Sequence, residues 1–176
     1  MIKQFFCVVL LCLPILSFSQ SKTIKEFYNK YKHQEEIGKL ELKGFVLRLA
    51  AKFADEDDAD RLLSRITRLR VLSFDEGRTI PRSELNEFMR SIRKERFEDL
   101  MSIREDGDDI QIMIKEEGTS ISDVLVIIKG DDKFTMLSLE GKLQFNDIKQ
   151  LNIDVDGGDY FQRVPEKRVH EPSPRA

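Results

Sequence analysis

Residues 123–151, DVLVIIKGDDKFTMLSLEGKLQFNDIKQL, set the architecture of this chain. Val124–Ile128 is a run of five apolar residues, four of them β-branched, which suits a strand buried on both faces better than a surface helix. A second apolar run, Phe134–Leu139, follows the polar segment Lys129-Gly130-Asp131-Asp132-Lys133, whose Gly-Asp-Asp supplies the turn chemistry of a hairpin. The stretch then feeds a short helical segment that ends near Leu151.

Working upstream, Glu116–Ser122 reads as a polar loop, and Ile110, Ile112 and Ile114 form the one-sided apolar face of another strand, with a wet face or an edge position. Glu105-Asp106-Gly107-Asp108 is a hairpin turn, and Leu100–Arg104 a strand before it. Four strands joined by short connections predict an antiparallel meander. Pro81 opens the longest helix, Arg82 to about Phe97, with Leu85, Phe88, Met89 and Ile92 as its core stripe and a mixed-charge outer face. Leu69–Phe74, LRVLSF, is a further strand, closed by Asp75–Arg78.

Before it, Asp57 or Asp58 in the run ADEDDAD caps a helix carrying Leu62, Leu63 and Ile66; acid at a helix start is favoured by the dipole and needs no metal. Arg61, Arg65 and Arg68 at i, i+4 and i+7 on that helix predict a solvated basic ridge. A short strand through Leu40 and Leu42 precedes a helix over Phe45–Phe53. In Ser21–Lys32, residues Ile24, Phe27, Tyr28 and Tyr31 form one apolar stripe of a first helix, and His33–Glu36 breaks it. Such a stripe is ordinarily core; Phe27, Tyr28 and Tyr31 are nevertheless the aromatic surface through which an interaction module would act.

Residues 1–20 have the layout of a secretory signal: Lys3, an apolar run from Phe5 to Leu16, then Ser17-Phe18-Ser19, with cleavage expected near Ser19 or Gln20. The run is too short for a membrane span and contains Pro14, and no later run is long enough, so no transmembrane segment is expected after cleavage. Cys7 and Cys12 follow Phe6 and Leu11, where a lipoprotein signal needs a small residue, and both lie in the leader. The expected mature chain therefore lacks thiol nucleophiles, redox pairs and thiolate metal sites. Loss of Lys3 leaves 28 basic against 32 acidic side chains, a formal charge of −4, which offers no footprint for nucleic acid.

The pattern LRVLSF and FTMLSLEGKLQFNDIKQL, with Leu137, Leu139, Gly141, Leu143, Ile148 and Leu151 in a strand, glycine, apolar residue and short-helix arrangement, resembles the Bacteroidota envelope family catalogued as domain of unknown function 4252. The resemblance spans roughly residues 24–151 and implies a small exported α+β domain with no assigned activity and no catalytic residue to carry over.

Among chemical constellations, Asn152-Ile153-Asp154-Val155-Asp156-Gly157 matches the first half of an EF-hand loop, with Asp154, Asp156 and Asp159 as candidate calcium ligands. Arg163 stands where the closing bidentate glutamate belongs, so an acidic turn is the competing account. His33 and His170 are poorly placed as bases, and they lack zinc spacing. Gly157-Gly158 lacks the rest of a phosphate loop. The acid pairs Asp108-Asp109 and Asp131-Asp132 fall in turns, where aspartate serves the backbone. The expectation is one exported α+β domain, residues 21–151, with a mostly antiparallel sheet of five or six strands and helices on one face. Residues 152–176, with Pro165, Pro172 and Pro174, are expected to form a loop and a disordered tail. The protein is read as a non-catalytic periplasmic or secreted interaction or sensing module with an envelope protein partner and no cofactor. Calcium binding is the first alternative, and a hydrolase with unrecognised residues the second.

Overall fold

A computed structural model describes residues 21–51, 57–74, 80–105 and 107–149. In chain order the elements are α1 (Lys22–Tyr31), β1 (Gly38–Lys43), α2 (Gly44–Ala51), α3 (Asp57–Arg65), β2 (Ile66–Phe74), α4 (Arg82–Lys94), β3 (Glu98–Glu105), β4 (Asp108–Glu117), β5 (Ser120–Lys129), β6 (Phe134–Leu143) and α5 (Phe145–Lys149). The six strands form one antiparallel sheet in the order β1-β2-β6-β5-β4-β3.

The predicted hairpin is the β5–β6 pair, and it occupies the two central positions of the sheet. Its apolar run fills both faces, which has a consequence for the helices. Val124 and Val126 join Leu69, Val71, Leu137 and Leu139 in one cluster, together with Leu47 of α2, Leu62 of α3 and Ile148 of α5. Leu125 and Ile127 join Leu72, Met113 and Met136 in a second, together with Ile24 and Phe27 of α1 and Phe88 and Ile92 of α4. Helices therefore cover both faces, and the expected one-faced packing is corrected: a strand apolar on both sides needs a cover on each.

Three local readings also change. Ile66 is the first residue of β2, not the last of a helix, and Arg68 lies on that strand, so the basic ridge of Arg61, Arg65 and Arg68 does not form. Instead Arg65 binds both carboxylate oxygens of Asp147, at 2.8 and 2.6 Å, and ties α3 to α5. The loop expected at Glu116–Ser122 is a hairpin turned by Gly118, whose positive φ of 63° suits glycine. And β4, read as wet-faced or an edge, lies inside the sheet with Ile112 and Met113 buried on opposite faces; β3 is the edge on that side. At Gly141 a Cβ would stand 2.4 Å from the Arg65 carbonyl oxygen, so the close approach of β6 to the α3–β2 junction requires glycine.

Candidate functional site

The aromatic stripe of α1 lies inside the protein. Phe27 packs on Phe88 with ring centroids 4.2 Å apart, and Tyr31 meets Phe74 edge-on at 5.1 Å. The Tyr31 hydroxyl donates to Glu84 at 2.5 Å, while Tyr28 lies beneath the Arg70 guanidinium. Phe27, Tyr28 and Tyr31 are thus core residues, which removes them as a contact surface. Asp154, Asp156 and Asp159 lie outside the described residues, as do residues 1–20 and His170. Among the described residues no group of three or more His, Cys, Asp or Glu could hold a metal, and no helix is long and apolar enough to cross a membrane.

Next to the aromatics, on the same face of the sheet, runs a row of charge that sequence reasoning missed. Cross-strand register aligns Arg68 with Glu140, Glu140 with Asp123, and Asp123 with Lys115. The register irregularities at Ile66/Arg68, Ile121/Asp123 and Lys115/Glu116 all fall at this row, where bulges re-aim side chains. Two residues along β2, Arg70 is 1% exposed; it donates to Glu140 and, at 3.1 Å, to Glu41 of β1. Two carboxylates therefore stand side by side in the core, flanked by cations. Burial pushes the Asp123 carboxyl up to about 6; the hydrogen bond from Ser122 and the charge of Lys115 oppose the shift, and the charges of Glu140 and Glu117 add to it. Arg70 Nη2, Asp123 Oδ1, Ser138 Oγ and Glu140 Oε2 are buried without a hydrogen-bond partner among the described residues. Such a layer can hold a proton, but its groups are out of reach of a substrate.

An open site lies along the flank of α4. One hollow of about 320 Å³ has Ile80, Leu85 and Phe134 in its lining, and a second of about 280 Å³ has Leu85, Met89 and Ile127. They share Leu85, Asp109 and Lys129, so they form one continuous groove whose lining mixes apolar and polar groups. Its rim carries Arg82, Arg104, Lys129 and Lys133 against Asp109 and Asp131, a positive balance on a chain of net charge −3. Two of the cations are occupied. Lys133 pairs with Asp108 at 2.7 Å and Arg104 with Asp109 at 2.5 Å, and the Arg104 hydrogen bond holds the Asp109 carboxyl below the usual carboxylate range. Arg82 makes no ion pair among the described residues, and Lys129, opposite Asp109 in the β4–β5 register, adds its charge to what lowers that carboxyl. The aspartates read as turn residues thus also neutralise part of the rim. Nothing local in the sequence marks Arg82 and Lys129 as partners, because only the passage of α4 over β4 and β5 brings them to one groove.

No curated protein and no solved structure matches the chain significantly. One family model does, over residues 31–151, beginning at the last residue of α1 and running past α5. That match takes in all six strands and the whole groove, and on it the chain belongs to the family described as domain of unknown function (DUF4252).

Proposed function

We propose that the protein is an exported, non-catalytic binding module that takes an amphipathic anion in the groove along α4, and that it serves as a sensor or carrier in the cell envelope. The observation that carries this reading is the pair of cations outside any salt bridge, Arg82 and Lys129, on the rim of a groove of small-molecule dimensions whose lining mixes apolar and polar groups. An aliphatic tail would lie against Leu85, Met89, Ile127 and Phe134, with its anionic head between the two cations. The non-catalytic reading rests on Asp109, the acid common to both hollows: its ion pair with Arg104 keeps it ionised, which suits it poorly to proton transfer at neutral pH. The signal-like layout of residues 1–20 supports the exported part of this reading.

Decanoate is a suitable probe and decanol its neutral control. Titration followed by amide chemical shifts is expected to give saturable binding of decanoate, with shifts centred on Leu85, Met89 and Lys129. Arg82→Glu with Lys129→Glu should weaken it by about tenfold or more, which corresponds to about 1.4 kcal/mol. Both sites are exposed, so the melting temperature should hold. Failure of decanoate to saturate, or equal binding of decanol and of decanoate to the double variant, would reject the site.

A further inference from the structure

The three large apolar side chains that stand exposed among the described residues lie on β1 and on the outward face of the helix that follows it: Leu40 at 41%, Phe45 at 63% and Leu49 at 56%. Leu40 lies on β1, the strand that ends the sheet, and faces the same side as its cross-strand partner Val71, which belongs to the core that α2 helps to cover. Phe45 and Leu49 follow on α2, one helical turn apart. The two edges of the sheet differ. β3 carries a register irregularity at Asp99/Met101, whereas β1 pairs with β2 in unbroken register from Gly38 to Lys43 and presents a regular outer edge.

The sequence of that edge, Gly38-Lys39-Leu40-Glu41-Leu42-Lys43, restricts what can pair with it. Directly opposed residues of an antiparallel pair point to the same face, so a two-fold pairing of β1 with itself must centre on a residue. Centred on Glu41, it would oppose Glu41 to Glu41 and Lys39 to Lys43, which is repulsive. Centred on Leu42, it would run Leu40 against Gly44, where α2 begins; centred on Leu40, it sets Leu40 against Leu40, aligns the strand from Gly38 to Leu42 and opposes Lys39 to Glu41 twice, with Glu41 keeping its ion pairs to Arg68 and Arg70. We propose that two copies of this chain join in this way. β1 pairs with β1 about a two-fold axis at Leu40, continuing the sheet from one copy into the other and drawing Leu40 into the contact. The interface is isologous and closes on itself, so it yields a dimer and not a filament. It is independent of the α4 groove.

Cross-linking reads the register directly. In a Cys7→Ser, Cys12→Ser background, Leu40→Cys should oxidise readily to a disulfide-linked dimer, since directly opposed Cα atoms lie about 4.5–5.5 Å apart, within disulfide range. Lys39→Cys should not, because that register separates the two copies of residue 39 diagonally by about 7–8 Å. Sedimentation of the unmodified chain should show a monomer–dimer equilibrium, and Leu40→Glu or Lys39→Glu should raise its dissociation constant by about tenfold or more, with the melting temperature unchanged when taken at concentrations well below that constant. A chain that stays monomeric up to about 1 mM would overturn the proposal and leave Lys39 and Lys43 as guards against edge pairing. Equal cross-linking at positions 39 and 40, or a dimer indifferent to both charge substitutions, would overturn it as well.

Discussion

The face of the sheet covered by α2, α3 and α5 is lined by aliphatic side chains, among them Leu69, Val71, Ile112, Ile114, Val124, Val126, Leu137 and Leu139. The face covered by α1 and α4 is divided. Part of it is aromatic and methionine-rich, with Phe27, Phe74, Phe88, Phe134 and Met136, and part is the row Arg68, Glu140, Asp123, Lys115 with Arg70 beside it. Both faces exclude water, but they carry different information. Apolar burial is non-directional and is satisfied by any close-packed cover. The charged row is satisfied in one register, since a slip by one residue would drive its ions into the aliphatic face. One face supplies cohesion, and the other specifies alignment.

The contrast can be broken by substitution. The largest loss is expected at Arg70→Ala, which strips Glu140 of its closest cation and should cost about 3–5 kcal/mol in urea denaturation. Arg70→Met combined with Glu140→Leu should recover most of that, because it removes both charges together. A single variant that loses less than about 1 kcal/mol would show the row to be dispensable. On the aliphatic face, Leu137→Ala should cost about 2–5 kcal/mol. That loss should be the same at pH 5 and pH 8, and any pH dependence would contradict the division of labour between the faces.

Asp123→Asn is expected to stabilise. With its carboxyl raised from 3.8 to about 6, the native chain holds a proton that the unfolded chain releases between those values, so stability falls as pH rises through the window. The penalty is complete above about pH 6 and amounts to at most about 3 kcal/mol at 1.36 kcal/mol per unit. The variant should therefore exceed the parent at pH 8 and converge with it below about pH 4. Denaturation at four pH values sharpens the comparison, and a constant difference would refute it.

The smallest effect is at Glu95→Ala. Glu95 follows α4 and accepts from the backbone amide of Thr23 at 2.9 Å and from its hydroxyl at 2.7 Å. Burial raises its pKa, but hydrogen bonds from Ser21 and Thr23 outweigh this and hold it below the ordinary 4.5. Its contribution is present above that value and is lost as pH falls through the lowered one, the opposite sign to Asp123. The loss should be about 1.5 kcal/mol, seen as faster amide exchange in α1.

What was legible in the chain follows the same division. The β5–β6 hairpin, the apolar stripes of α1 and α4 and the start of α4 at Pro81 rest on local spacing, and all stand where that spacing puts them. The charged row was invisible because alternation assigns polar residues to solvent, whereas Arg70 and Glu140 satisfy each other across 70 residues of chain. Ile66 fitted the spacing of Leu62 and Leu63, but its backbone is claimed by β6 through the pairing with Gly141. The groove shares this non-local origin, since Arg82 and Lys129 lie on elements that meet only in the folded sheet. Phe45 and Leu49 fall in the helix that spacing predicts and yet stand exposed, for periodicity reports an apolar face without reporting whether anything covers it.

The order β1-β2-β6-β5-β4-β3 also constrains how the chain is assembled in time. Strands β3 to β6 are joined by short turns and can zip as successive hairpins, whereas β2 waits for the last strand, β6, to be made. A chain threaded N-terminus first through a translocation pore would present β1, β2 and three helices as a half-sheet, with the inner edge of β2 unpaired until residue 143 emerges. During that interval the open edge is a natural target for a holding chaperone, and slow passage lengthens it. A polypeptide truncated before β6 would lose more than one strand: the pairing that unites the two halves would never form.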